Sequence, residues 1–226
     1  MFRLDGISLV RSGRTIFGGI STEIPEGAFI GLLGPNGAGK TSLLRIIAGL
    51  QSPTTGRLEW RGRSSDSWRR WWKPLWGARI GFVPQLPPAV AFPLSVNDIF
   101  DSLSVDPERR LEWLERLGFP DVGQRCFHTL SGGEKRRVLL ALTLTQNPEL
   151  LLLDEADSFL DREGRALAGR IVAEWWKAGG GSRTVLAASH HPEEFPDGLT
   201  HLWHLGSGTL ARSEEHTSEL QSHHPI

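Results

Sequence analysis

Residues 28–41 read AFIGLLGPNGAGKT, and the order of residue types in this stretch decides the fold. Ala28 to Leu33 is a short apolar run without polar alternation, the pattern of a strand buried on both faces. It passes directly into Gly34, Pro35, Asn36, Gly37, Ala38, Gly39, Lys40 and Thr41, which fit G-x-x-x-x-G-K-[ST]. Glycines there let backbone N–H groups wrap a phosphate at a helix N-terminus. Lys40 would reach the β/γ-phosphates, and Thr41 would bind Mg²⁺. Beyond the loop Leu43, Leu44, Ile46 and Ile47 form a helical apolar pattern, and Gly49 is a C-terminal stop. Strand, glycine loop and helix in succession are the setting in which this motif binds phosphate.

Reading outward, Leu150 to Leu153 is a second buried strand, ending in Asp154 and Glu155. Open α/β sheets bind ligands at the C-terminal ends of their strands. Alone, two carboxylates there are a charged strand end. Beside a phosphate loop, Asp154 is placed to hold Mg²⁺ through water and Glu155 to orient or deprotonate an attacking water. LSGGE at 130–134 opens another helix, with Ser131 as N-cap, Gly132 and Gly133 allowing close backbone approach, and Val138, Leu139, Ala141 and Leu142 apolar behind. On its own this is an ordinary capped helix. With one nucleotide already cradled near Lys40, a second anion-ready N-terminus points to a γ-phosphate contacted from another subunit.

The rest of the chain fits around this core. Residues 1–60 alternate apolar and polar positions, which predicts short, partly exposed strands. Residues 86–146 turn helical: Ser95 with Asp98 makes a capping box, and Asp106-Pro107 starts a helix that stops at Gly118. A helix from about Arg162 to Lys177 and a buried strand TVLAA at 184–188 follow, and HLWHLGSGTLA reads as a closing hairpin. The expected class is α/β.

Composition excludes several alternatives. With 25 basic against 26 acidic side chains and a formal charge of -1, there is no global drive toward phosphate backbones, and nucleic acid is not an expected partner. The single cysteine, Cys126, cannot form an internal disulfide, which fits a reducing cytoplasm. The start MFRLDGISLV lacks a signal-peptide layout, and no window approaches the ~18 apolar residues of a membrane span. From Arg212 the chain reads RSEEHTSELQSHHPI, and Arg212 to Ser222 resembles the in-frame translation of a short-read sequencing adapter. Residues 212–226 are therefore expected to be a non-native tail, and His216, His223 and His224 are not recruited as ligands.

Over residues 1–211 the sequence resembles the ATP-binding cassette family, the nucleotide-binding subunits of ABC transporters, through five motifs in the family's order. By that resemblance GPNGAGKT is the Walker A loop, its nucleotide contacts running on through Ser42, and FVPQ puts Gln85 in the Q-loop. LSGGE is the signature, LLLLDE is Walker B, Asp161 in SFLD is the D-loop aspartate, and His190 in AASHH is the switch histidine. His191 is the rival for that last role, and the spacing after TVLAAS favours His190. The family implies a single domain over 1–211: a P-loop NTPase core, an N-terminal antiparallel β-subdomain and a helical signature subdomain at about 86–146. It also implies ATP and Mg²⁺ as cofactors, with Thr41, Gln85 and Asp154 at the metal and Glu155 and His190 catalytic. Two copies, or one copy and a paralogous cassette, would meet head to tail. Each ATP would then face Ser131, Gly132, Gly133, Glu134 and Asp161 of the opposite subunit. The implied function is an ATP-hydrolysing subunit that drives a separate membrane permease from the cytoplasmic face of the cell membrane. The alternative is a soluble cassette acting on nucleic acid or ribosomes, but relatives of that kind carry paired cassettes, long coiled coils or basic arms, which this sequence does not show.

Departures from the family pattern stand beside the matches. The adenine-stacking aromatic aligns with Arg11, whose guanidinium plane is suited to stack on the base instead. After Glu155 the family's proline and threonine are replaced by Ala156 and Asp157. IGFVPQ with FPLSVNDIF looks like importers of iron chelates and other metals, whereas RSGRTIFGGIS and GRLEWRG look like the haem-exporter cassette of cytochrome c maturation. Trp68, Trp71, Trp72, Leu75 and Trp76 fall at helical spacing among Arg69, Arg70 and Lys73, interrupted by Pro74. This stripe reads either as packing against the neighbouring sheet or as docking to lipid headgroups or a membrane subunit.

Overall fold

The computed structural model describes residues 2–60, 63–64, 80–85, 93–155, 162–189 and 199–213. The Trp68–Trp76 stripe, Ala156, Asp157, Asp161, His190, His191 and the tail from Glu214 lie outside the described residues.

Two sheets carry the fold. Strands β1 (Phe2–Arg11), β2 (Arg14–Ile24), β4 (Thr55–Trp60) and β5 (Arg63–Ser64) form an antiparallel sheet in the order β2-β1-β4-β5. Strands β3 (Phe29–Leu33), β6 (Ile80–Val83), β7 (Leu150–Asp154), β8 (Thr184–Ala188), β9 (His201–Gly206) and β10 (Thr209–Ser213) form the second, in the order β10-β9-β3-β8-β7-β6. The four pairings from β9 to β6 are parallel, and β10 closes one edge antiparallel to β9. Contrary to the short strands expected over residues 1–60, β1 and β2 run for 10 and 11 residues. Irregularities in their register explain the misreading, because each one shifts the inward face and breaks the simple alternation. The β1–β2 turn places Ser12 and Gly13 at φ 50° and 75°, the left-handed pair of a tight hairpin.

The apolar runs that show no alternation in sequence divide between two cores. On β7, Leu150 and Leu152 face the antiparallel sheet and α1 (Lys40–Ile47), while Leu151 and Leu153 face the helices. On β8, Leu186 and Ala188 join the first core and Val185 and Ala187 the second. A parallel strand covered on both faces needs apolar side chains at every position, which is why LLLL carries no period of two. The first core adds Leu43, Leu44, Ile46 and Ile47 of α1 and the Phe2–Trp60 ring pair, with centroids 3.9 Å apart.

Three helices build the second core: α2 (Val96–Ser102), α3 (Pro107–Arg116) and α4 (Gly132–Thr145). The Ser95–Asp98 capping box starts α2, and Asp106 with Pro107 starts α3. Gly118, at φ 71°, ends that turn. Helix α5 (Arg162–Lys177) packs Ile171, Val172 and Trp175 into the same core. Among the described residues no helix is long and apolar enough to cross a membrane. The hairpin β9–β10 continues through Arg212 and Ser213, which pair with Trp203 and Leu202. The sequence boundary at 211 thus falls inside a strand, because ladder hydrogen bonds come from backbone and are indifferent to side-chain identity.

Candidate functional site

The parallel register of β3, β8 and β7 aligns their C-terminal ends, and the loop from β3 turns back over them into α1. Two glycines make that turn feasible. A Cβ on Gly34, at φ 154°, would lie 2.1 Å from the Leu205 carbonyl oxygen. A Cβ on Gly39, at φ 99°, would lie 2.8 Å from both Ile16 and Phe17 of β2. The loop is therefore pressed against strand β9 on one side and the antiparallel sheet on the other. Lys40 opens α1 with its side chain 5% exposed, and its ammonium donates to the Gly34 carbonyl at 2.7 Å and the Pro35 carbonyl at 3.4 Å. The ammonium is thereby held over its own loop.

The two carboxylates at the end of β7 diverge in role. Asp154 is fully buried, and its Oδ1 accepts from the Thr41 hydroxyl at 2.9 Å. Burial pushes its carboxyl above the usual carboxylate range; the Glu155 charge adds to this, while Thr41, the Gln85 backbone and Arg45 oppose it. Its Oδ2 is buried with no hydrogen-bond partner among the described residues. A buried carboxylate oxygen without a donor, one residue pair away from a threonine hydroxyl, fits a hydrated divalent cation of the Mg²⁺ kind, which takes one or two protein oxygens and fills its shell with water and phosphate. Glu155 instead points into the cleft. One of its oxygens lies 3.7 Å from the Lys40 ammonium, and the other accepts from the Gln85 amide. Glu155 sits at φ 47°, a left-handed conformation that non-glycine residues adopt at a cost and that clusters at functional sites. Its N–H is bound by the Ala188 carbonyl at 3.0 Å, and its C=O accepts from the Arg136 guanidinium.

Gln85, Glu155, Thr41, Ser42, residues 35–40, Arg11 and Ile16 line one cleft of about 300 Å³. Arg11, exposed at the end of β1, lines the same cleft. The signature turn lies elsewhere in the chain. Ser131 caps α4 by accepting from the Glu134 N–H at 3.3 Å, and Glu134 returns the bond by accepting from the Ser131 N–H at 2.7 Å. Arg125 adds a two-pronged contact to Glu134 at 2.8 and 3.4 Å. Arg125, then the Ser131 backbone, hold the Glu134 carboxyl down at about 2. Ser131 to Glu134 take no part in the cleft around Lys40 on their own chain.

Three contributors escape the sequence reading. Ile16 packs on the loop glycine, Arg125 neutralises Glu134, and Arg136 holds the Glu155 peptide. Arg136 alone carried a signal: with Leu140 and Leu144 it makes an i, i+4, i+8 stripe that is buried throughout, and a cation in such a stripe calls for a partner.

Glycine loop, buried lysine, threonine and a strand-end acid together define a P-loop nucleotide-binding fold. Residues 17–158 match the ABC transporter family. An Fe(3+) ions import ATP-binding protein of Rhodococcus jostii is 35% identical over 84% of this chain and 55% of its own length. A zinc import ATP-binding protein of Hahella chejuensis is 34% identical, with 76% and 62% covered, so the chain spans little more than half the length of these relatives. A cytochrome c biogenesis ATP-binding export protein of Rhodopseudomonas palustris is 32% identical over 83% of this chain and 90% of its own. Among solved structures, a dimeric ATP-binding cassette in a post-hydrolysis state with ADP and Pi superposes at TM-score 0.82 and 22% identity, covering 95% of this chain and 98% of that one. The cassette cbiO1 of Clostridium perfringens, part of an ABC transporter complex, gives 0.76 at 25% identity over 94% and 88%. The chain belongs to the ABC transporter family.

Proposed function

We propose that this chain is the ATP-binding and ATP-hydrolysing subunit of an ABC transporter. It closes head to tail on ATP with a second cassette and drives a separate permease at the cytoplasmic face of the membrane. The observation that carries the reading is the Glu155 carboxylate facing the Lys40 ammonium at 3.7 Å across the glycine loop. A base thus stands beside the group that binds the β/γ-phosphates.

In this reading the backbone N–H groups of residues 34–42 other than Pro35, which has none, bind the phosphates, and Lys40 exchanges its loop carbonyls for phosphate oxygens. Thr41 and Asp154, with Gln85, hold Mg²⁺, which when bound neutralises charge on the β- and γ-phosphates. Glu155 orients a water, or takes its proton, as that water's oxygen bonds to the γ-phosphorus and the bond to the β-phosphate oxygen breaks. Gln85 donates to the same carboxylate, which makes it the side chain through which a permease contact reaches the base. Arg11 stacks on the nucleobase. His190 contacts the γ-phosphate, and Ser131, Gly132, Gly133, Glu134 and Asp161 complete the site of the opposite subunit. The single catalytic domain spans 1–211. Relatives named for import of Fe(3+), zinc and nickel, and for export in cytochrome c biogenesis, support a transport role.

Steady-state phosphate release with Mg²⁺-ATP tests this. The parent chain turns over. Glu155→Gln retains ATP binding and loses turnover by at least a hundredfold, and Lys40→Ala loses both. A Glu155→Gln variant with parental turnover would remove the proposed base.

A further inference from the structure

Arg136 lies in the first half of α4, five residues beyond the Ser131 cap, and is 2% exposed. Burying a guanidinium among Leu140, Leu144 and the end of β7 costs free energy unless its donors are used. One of them is used on the Glu155 carbonyl. That peptide is an unusual place for such a contact, since Glu155 is held at φ 47°, where a side chain with a Cβ is crowded by its own carbonyl. The N–H side of the residue is pinned by Ala188 on β8. Without a donor on the C=O side, the peptide after Glu155 is free to rotate toward an ordinary backbone conformation. Leaving the left-handed region requires a change of φ, and with the N–H side held by Ala188 that rotation about N–Cα carries the Cβ and the carbonyl carbon together, swinging the carboxylate away from Gln85 and Lys40.

We propose that Arg136 is a positioning residue for ATP hydrolysis: its guanidinium fixes the left-handed Glu155 peptide and so aims the Glu155 carboxylate into the cleft. The proposal rests on Glu155 acting as the base. It also gives α4 a second task. The helix whose first turn carries Ser131 to Glu134 is tied, through its own fifth residue, to the base on the same chain.

The test uses the full chain with Arg136→Met, which keeps length and removes the donors, and Arg136→Lys, which keeps a cationic donor in the same pocket. ATP affinity without Mg²⁺, kcat and KM with Mg²⁺, and thermal melting are read for each. Arg136→Met is expected to keep Kd and KM within threefold of the parent while kcat falls at least tenfold, and Arg136→Lys to recover at least half of that loss on a logarithmic scale. In a Glu155→Gln background, Arg136→Met is expected to change the residual turnover by less than twofold, since there is no longer a base to aim. A folded Arg136→Met with parental kcat overturns the proposal. So do parallel losses of affinity and turnover, a full additional loss in the Glu155→Gln background, or failure of both variants to fold, which would assign Arg136 to the core alone. An unsubstituted chain that binds ATP without hydrolysing it would instead overturn the reading of Glu155, an outcome distinct from a substituted chain that matches an active parent.

Discussion

At the end of β7 the Asp154 carboxylate is fully buried and its pKa is pushed up chiefly by that burial. A raised folded value means that the stabilising contribution is present below the ordinary carboxylate range, near pH 4, and is lost as pH rises through the folded value. At neutral pH the charge therefore works against the fold. Asp154→Asn is expected to raise the melting temperature of the nucleotide-free chain, by roughly 2–4 °C for each kcal/mol recovered, and to abolish Mg²⁺-dependent turnover. The two melting temperatures should converge as pH falls below about 4. Glu134 shows the opposite sign. Its carboxyl is held down at about 2, first by Arg125 and then by the Ser131 N–H. Its contribution is complete above the ordinary Glu value and disappears as pH falls through about 2. Arg125→Ala should return the Glu134 pKa toward that ordinary value, as read by NMR titration of the side-chain carboxyl. In the proposed two-chain site the pair would matter in a second way: an acid in this turn would repel a γ-phosphate, and Arg125 would offset that charge.

The glycine loop and its helix show where element-level geometry decides function. Gly39→Ala places a methyl 2.8 Å from Ile16 and Phe17 at a left-handed φ of 99°. The expected outcome is at least a tenfold loss of ATP affinity by calorimetry with the melting transition retained, because the strain falls on the loop and not on β3 or α1. This element was legible in sequence almost to the residue, since glycine spacing and an apolar helix face are local properties. Starts set by caps were equally legible, Ser95 with Asp98 and Asp106 with Pro107, and the span Arg162–Lys177 follows from its own helical pattern. What local pattern does not hold is pairing across the chain. The bulged register of β1 with β2 and the two-core division of LLLL depend on partners far away in sequence. The Gln85–Glu155 and Arg136–Glu155 contacts join residues 70 and 19 positions apart, and only the sheet order brings them together.

At the scale of the whole molecule, one chain presents two phosphate-ready helix N-termini that do not share a cleft. Lys40 and the glycine loop sit with Glu155, whereas the Ser131 turn at the start of α4 stands apart from them. A site that needs both is complete only when two chains meet, so ATP should act as the bridge and its hydrolysis should release it. Light scattering of the full chain carrying Glu155→Gln measures this directly. With ATP and Mg²⁺ the mass is expected to double, and with ADP it is expected to remain that of a single chain. A chain that binds ATP, as shown by calorimetry on the same sample, yet keeps its single-chain mass would contradict the shared site.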